Sequence, residues 1–250
     1  MEASNLLGKN ILDECAKAYP LLNQQEVMAA VESGITRALR EVFFGACVNV
    51  FVEGKSLSMV ITTSYGREFS LSFKDMKKRV RRRATWYLEK EMMQANSLKE
   101  ASIIRHRFQG EILYGVIESG GKDAKVWIDL NSKEINESRF ASFPLKYQPK
   151  HERGKYKKGK EMAFIVARVN LIKHHNGSLA TEIVLSRTAV DLPKKLLEQQ
   201  TPETFTTLRR VPGKYTLLLA HKNPKRLDKK VIKAIKKEIG EVLIFKEADR

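Results

Sequence analysis

Several stretches of this sequence interleave aromatic and basic side chains. That pairing suits the non-covalent capture of single-stranded nucleic acid, since each base offers a π-face to a ring and each phosphate a charge to a cation. In Lys125-Val126-Trp127-Ile128-Asp129-Leu130, period-two alternation predicts a strand with Val126, Ile128 and Leu130 inside and Lys125, Trp127 and Asp129 outside. An exposed tryptophan beside a lysine suits base stacking, at ~1–3 kcal/mol per base. A tryptophan covered by the preceding helix or a neighbouring domain is the alternative reading. A basic loop follows, in which Lys155, Lys157, Lys158 and Lys160 surround Tyr156. Backbone tracking by lysines needs no exact geometry, and a solvated loop is the alternative.

Lys225, Arg226, Lys229, Lys230, Lys233, Lys236 and Lys237 decorate the last helix and its approach. Helical spacing sets a basic stripe opposite Val231, Ile235 and Ile239. The stripe suits RNA, although any small β-α-β unit also needs a soluble helix face. Lys77, Lys78, Arg79, Arg81, Arg82 and Arg83 form a third basic run on a helix, either solvated or facing phosphate. His174-His175-Asn176-Gly177 reads as a turn between strands. Neighbouring side chains there diverge, which suits RNA contact or solvent better than a metal.

Covalent chemistry finds little footing. Asp129, Glu134 and Glu137 are scattered acids without paired-carboxylate spacing, and no nucleophile motif stands beside them. Gly120-Gly121-Lys122-Asp123 lacks the earlier glycine and following Ser/Thr of a phosphate-cradling loop, and reads as a hairpin turn. The chain has two cysteines, five histidines and no CxxC or HxxxH pair, so neither a zinc site nor a disulfide framework is expected, and a reducing compartment is. No enzymatic activity, cofactor, metal or small-molecule substrate is expected.

The 250 residues carry 46 Lys+Arg against 29 Asp+Glu, a formal net charge of +17. Residues 213–250 alone carry 11 basic and five acidic side chains. Such a surface most often meets a phosphate backbone. The rival, an anionic membrane, usually requires an amphipathic anchor with large apolar residues. No apolar run is long enough for a membrane helix, and no basic segment leads into an apolar stretch at the N-terminus, so a cytoplasmic protein with no membrane partner is expected.

The elements that position these residues imply an α+β chain. Leu7, Ile11, Cys15 and Ala18 predict a helix over residues 5–19, stopped by Pro20. Asn23 with Glu26 predicts the capped start of a second helix, whose apolar stripe runs from Val27 to Val42. Strands are expected at 46–52 and 57–63 around Glu53-Gly54-Lys55-Ser56, and a third at 67–73. Both cysteines are expected to pack as small hydrophobes. A long helix runs from Lys74 towards Arg107, with Asn96-Ser97 a candidate break. Over 108–188, short strands with glycine kinks and no long helix suggest a five-stranded closed barrel of the oligonucleotide-binding kind. Residues 189–212 read as a connector holding a short helix, and 213–250 as a β-α-β unit.

A family resemblance rests on several of these segments. Arg107-Phe108-Gln109-Gly110-Glu111-Ile112-Leu113-Tyr114-Gly115-Val116-Ile117 and Ile128-Asp129-Leu130 resemble the S1-type barrel of the bacterial transcription factor NusA. Tyr156-Lys157-Lys158-Gly159-Lys160 looks like that family's aromatic-x-x-Gly-Asp turn, with Lys160 where an acid is usual. Leu185-Ser186-Arg187-Thr188, then Leu196-Leu197 and Thr201-Pro202-Glu203, are similar to the strand leaving that barrel and the helix after it. The N-terminal order of two helices, hairpin and long helix is similar too. Further on, Asn223 to Asp228 and Ile232 to Phe245 resemble parts of the family's first KH domain. The helix and Gly-x-x-Gly loop that grip nucleotide backbone are missing between Gly213 and Arg250, as is a second KH domain.

The resemblance implies an N-terminal domain over 1–107 that docks on RNA polymerase near the RNA exit. It further implies an S1-type barrel over 108–188 and a truncated KH-like unit over 213–250, both contacting RNA. The implied outcome is modulation of pausing, termination or antitermination, with RNA polymerase and single-stranded RNA as partners. The alternatives are an RNA-binding module that serves the ribosome or RNA decay without polymerase, a protein-only competitor of the full-length factor, and, furthest off, a nuclease.

Overall fold

The computed structural model describes residues 11–53, 56–175, 177–221 and 227–247. Of the first predicted helix, residues 5–10 lie outside the described residues, as do Gly54, Lys55, Asn176, Lys225 and Arg226. The chain divides into two compact units, one of Met1–Glu100 with Leu171–Ala180, the other of Ala101–Asn170 with Thr181–Arg250.

The first unit begins with α1 (Ile11–Ala18) and α2 (Gln24–Val42). Asn23 and Glu26 form the expected capping box: the Asn23 side chain accepts from the Glu26 amide at 2.9 Å, and Glu26 Oε2 accepts from the Asn23 amide at 2.8 Å. Strands β1 (Cys47–Glu53), β2 (Ser56–Thr62) and β3 (Glu68–Leu71) follow as an antiparallel sheet in the order β1-β2-β3. Val31, Ile35, Leu39, Met59, Ile61, Leu88 and Met92 form the centre of the core. At Gly34 a Cβ would lie 2.7 Å from the Leu88 Cα, so only glycine lets α2 approach the next helix this closely.

That helix, α3 (Lys78–Phe108), follows a 3-10 turn at Phe73–Asp75 and runs 31 residues without the expected break at Asn96-Ser97. Apolar positions continue on both sides of the pair, at Met92, Ala101 and Ile104, and Ser97 Oγ donates to the Leu179 carbonyl at 3.0 Å. One cysteine also departs from expectation. Alternation points Val48, Val50 and Val52 inward, which leaves Cys47 exposed, whereas Cys15 is buried. Burial, with Glu14 nearby, pushes the Cys15 thiol up to about 11.

Strands β4 (Ile112–Ser119), β5 (Asp123–Asn131), β6 (Asn136–Pro144), β7 (Glu161–Lys173) and β8 (Leu179–Ser186) close into a barrel, which apart from the tip of the β7–β8 hairpin belongs to the second unit. The order β4-β5-β6-β8-β7, with β6 and β8 parallel, is OB-like. Strand β6 fills the place that sequence alone left unassigned. Gly115 lets β5 cross closely, for a Cβ there would lie 2.5 Å from Val126 Cγ1.

Residues 189–212 do more than connect. They form α4 (Leu192–Gln200) and β9 (Phe205–Val211), and β9 pairs antiparallel with β10 (Tyr215–Ala220). After α5 (Lys229–Ile239), β11 (Val242–Glu247) pairs parallel with β10. The C-terminal part is therefore α-β-β-α-β rather than β-α-β, with sheet order β11-β10-β9. Its core residues Leu196, Phe205, Leu218, Ile235 and Ile239 pack in one cluster with Ile112, Ala163 and Ile165 of the barrel.

Two buried ion pairs fasten this cluster. Arg187, 1% exposed, donates to Glu152 through Nε (2.6 Å) and Nη2 (2.7 Å), and to Glu238 Oε1 (2.9 Å) through Nη1. The carbonyls of Ala163 (2.7 Å) and Glu238 (2.8 Å) take its remaining hydrogens. Burial by itself would lower its pKa, but the bonds and charges of Glu152 and Glu238 outweigh it and the net shift is upward. Arg210 forms a second fork on Glu241, with Nη2 to Oε1 at 2.7 Å, while Thr216 Oγ1 donates to Oε2 at 2.7 Å.

Arg187→Ala strands the Glu152 carboxylate and should cost the second unit about 3–5 kcal/mol in urea denaturation, with Arg187→Lys recovering little because an ammonium cannot fill the fork. Thiol titration at pH 8 should read Cys47 alone in native protein and both cysteines after denaturation.

Candidate nucleic-acid interface

Strand β5 alternates as predicted, with Ala124, Val126, Ile128 and Leu130 inward and Lys125, Trp127 and Asp129 outward. Trp127 is 41% exposed, so its ring is open to solvent and not covered by a helix. In the register, Trp127 lies between Val116 of β4 and Phe140 of β6. Phe140 is 52% exposed and meets Trp127 edge to face, with centroids 4.5 Å apart. An apolar row thus crosses the outer face of three strands, with Tyr114 exposed two positions along β4. Val116, Tyr114 and Phe140 join the candidate site only in the structure. The signal for Phe140 was the outward set Ser138-Phe140-Ser142, hidden because Phe143 faces inward so close by.

Around this row charge is mixed. Lys125 lies two positions from Trp127, and its amide donates to Ser119 Oγ at 3.2 Å. Lys158 is exposed and pairs with Glu118 at 2.5 Å, which brings the loop to the β4 side of the same face. The loop is held there by Gly159, whose amide donates to the Ile117 carbonyl at 2.8 Å. Lys155, Lys157 and Lys160 are exposed. On the acidic side, Asp129 accepts from Ser138, Glu137 pairs with Arg139, and Glu182 accepts from Ser142 at 2.7 Å. Glu134 pairs with Arg107 at 3.1 Å, and that bond holds its carboxyl below the usual range.

Tyr156 is the clear departure. It was expected to offer its ring to RNA, but it is 7% exposed, packs edge to face on Phe143, and donates its hydroxyl to Glu152 Oε2 at 2.8 Å. Burial and the neighbouring carboxylate push its pKa up. The lysines of the loop face solvent because the tyrosine between them anchors it.

Elsewhere, Lys229, Lys230, Lys233 and Lys237 are exposed along α5, opposite the buried Ile235 and Ile239. His174 and His175 are exposed on the β7–β8 turn, within the segment Leu171–Ala180 that groups with the first unit. Lys77, Lys78, Arg79, Arg81, Arg82 and Arg83 are exposed at the start of α3, with Arg83 paired to Glu41. No acid occupies the first turn of α3, so these cations sit at the positive end of the helix dipole, an arrangement that costs stability unless an anion answers it. Beside them Phe44 is 97% exposed and, with Val42, Arg79 and Arg83, lines a groove.

Among the described residues no cluster of His, Cys, Asp or Glu could hold a metal, and no helix is long and apolar enough to cross a membrane. A scan against protein-family models finds no match for the chain, and a search of curated proteins finds no similar sequence.

The Tyr156 hydroxyl is an anchor: Tyr156→Phe removes a hydrogen bond to a charged group and should lower stability by about 1.5–3 kcal/mol in urea denaturation.

Proposed function

We propose that this chain is a NusA-like RNA-binding transcription factor of the cytoplasm. It docks on bacterial RNA polymerase near the RNA exit and modulates pausing, termination or antitermination. The observation that carries the RNA part is the solvent-open Trp127–Phe140 pair on the β4–β5–β6 face of an OB-like barrel, in a chain of net charge +17. On such barrels this face stacks bases while cations track phosphate. Lys125 and Lys158 stand on the face, and Lys155, Lys157 and Lys160 flank it.

In this reading the barrel is S1-type and the α-β-β-α-β part is a KH-like domain shortened by the helix and loop that grip backbone. The lysine stripe of α5 then contributes charge alone. Polymerase docking falls to the first unit, where Phe44 supplies an exposed aromatic knob beside Arg79 and Arg83, the kind of anchor on which protein interfaces concentrate their energy. The factor itself performs no covalent chemistry and uses no cofactor or metal.

Two measurements test this. Anisotropy titrations with a fluorescent single-stranded RNA should show Trp127→Ala and Phe140→Ala each weakening binding by about 1–3 kcal/mol, roughly 5- to 150-fold. Replacing Lys155, Lys157 and Lys160 by alanine should flatten the salt dependence, by ~0.7 in slope for each phosphate that is no longer neutralised. Co-elution with core RNA polymerase at moderate salt should persist for the native chain and fall for Phe44→Ala. RNA binding without co-elution would make this a free RNA binder, and unchanged RNA affinity in both aromatic variants would remove the barrel face from the proposal.

A further inference from the structure

The C-terminal sheet carries its helices on one face only. Phe205, Leu218, Ala220, Ile235, Ile239 and Leu243 fill the cluster on that side. Period-two alternation sends the other residues of each strand outward. On the central strand these are Tyr215, Leu217 and Leu219, each half-buried by its flanking strands. On β11 they are Val242, 55% exposed, and Ile244, 44% exposed. On β9 they are Val211, Arg209 and Thr206, with Leu208 exposed at the bulge where the register shifts. A sheet with one face in water ordinarily alternates apolar and polar residues. This one presents aliphatic side chains on all three strands, as a contiguous patch.

The charged residues on this face have one sign. Arg209 pairs in register with Leu217, and Lys246 with Leu219, and both cations are exposed. Among the described residues no Asp or Glu occupies an outward position of the three strands. Electrostatic complementarity selects the occupant. A second copy would bring the same cations to the contact with no acid on the face to answer them. Single-stranded RNA would answer the charge but not the surface, because six of the seven apolar residues are aliphatic and cannot stack with a base.

We infer that the outer face of the β9–β10–β11 sheet is a docking surface for an amphipathic helix of a partner protein, with an aliphatic stripe at i, i+3, i+4 and i+7 flanked by Asp and Glu. The stripe covers Leu217, Leu219, Val242 and Ile244, and the flanking carboxylates meet Arg209 and Lys246. The inference rests on the sheet alone and stands whether or not the barrel binds RNA.

The test uses the full chain and two synthetic peptides, each a helix with the same leucine stripe, one flanked by glutamate and the other by lysine, followed by anisotropy. The glutamate peptide should bind, weaken with salt, and exceed the lysine peptide by more than tenfold. Val242→Ser with Ile244→Ser should remove more than tenfold of that affinity, and Arg209→Glu with Lys246→Glu should reverse the preference between the peptides. All four side chains face solvent, and an unchanged thermal transition would confirm that each variant folds. Equal binding of both peptides, or glutamate-peptide binding untouched by either pair of substitutions, overturns the inference. So does a concentration-dependent dimer in sedimentation, binding to anionic vesicles, or single-stranded RNA affinity, if it is lost with the serine pair; each would give the face to a different occupant.

Discussion

The Arg187 guanidinium has five N–H groups, and all five are used in one dry place. Its acceptors come from three parts of the chain: Glu152 from the loop between β6 and β7, Ala163 from β7, and Glu238 from the last turn of α5. Desolvating a guanidinium and the Glu152 carboxylate is expensive, although Glu238 stays partly in solvent, and an apolar cluster of the same volume would hold the unit together at least as well. What the fork adds is a single geometry, since planar donors in fixed directions accept only one arrangement of partners. The cation also meets a backbone carbonyl at the C-terminal end of α5, where the helix dipole favours positive charge.

The second pair repeats this logic one turn further on. Glu241 follows Gly240, the left-handed cap of α5, and takes bonds from Arg210, Thr216 and the Gly213 amide. Glu238 and Glu241 therefore pin both sides of the same cap, one to the barrel's exit strand and the other to β9. His151 fills the gap between them, with Nε2 3.1 Å from the Ile239 carbonyl. A Cβ on Gly213 would lie 2.3 Å from its ring, so that turn is closed to larger residues. With its end held at three points, α5 presents its lysines from a rigid element. The same network, through Tyr156 and Glu152, fixes the loop that carries Lys155, Lys157 and Lys158.

Local patterns were legible in the sequence where one physical rule acted alone. The Asn23–Glu26 box and the alternation around Trp127 each follow from short-range geometry, and both stand in the structure. Strand β6 was hidden because Phe140 and Phe143 face opposite sides and blur the period. Strand β9 was hidden because Arg209-Arg210 reads as surface, although Arg210 is buried by its bond to Glu241, 31 residues away. Tyr156 is hidden for the same reason, since its hydroxyl bonds Glu152, the partner of Arg187. A tyrosine among lysines looks solvated until its acceptor, an acid paired with a distant arginine, is known. Long-range ion pairs leave no periodic trace, and they decide the cases of β9 and Tyr156.

The absence of a gripping loop constrains how the C-terminal part could hold RNA on the proposed reading. The eight residues between β10 and α5 contain no glycine, so the sequence there has no Gly-x-x-Gly. The solvent side of α5 can take part, where Lys229, Lys230, Lys233 and Lys237 offer point charges without planar hydrogen-bonding edges. Such a surface attracts phosphate without reading bases, and its contribution falls steeply with salt. Base-dependent discrimination then rests on the Trp127–Phe140 row, where stacking is tolerant of base identity. A chain built this way would follow any emerging single strand and respond more to its length and openness than to its sequence.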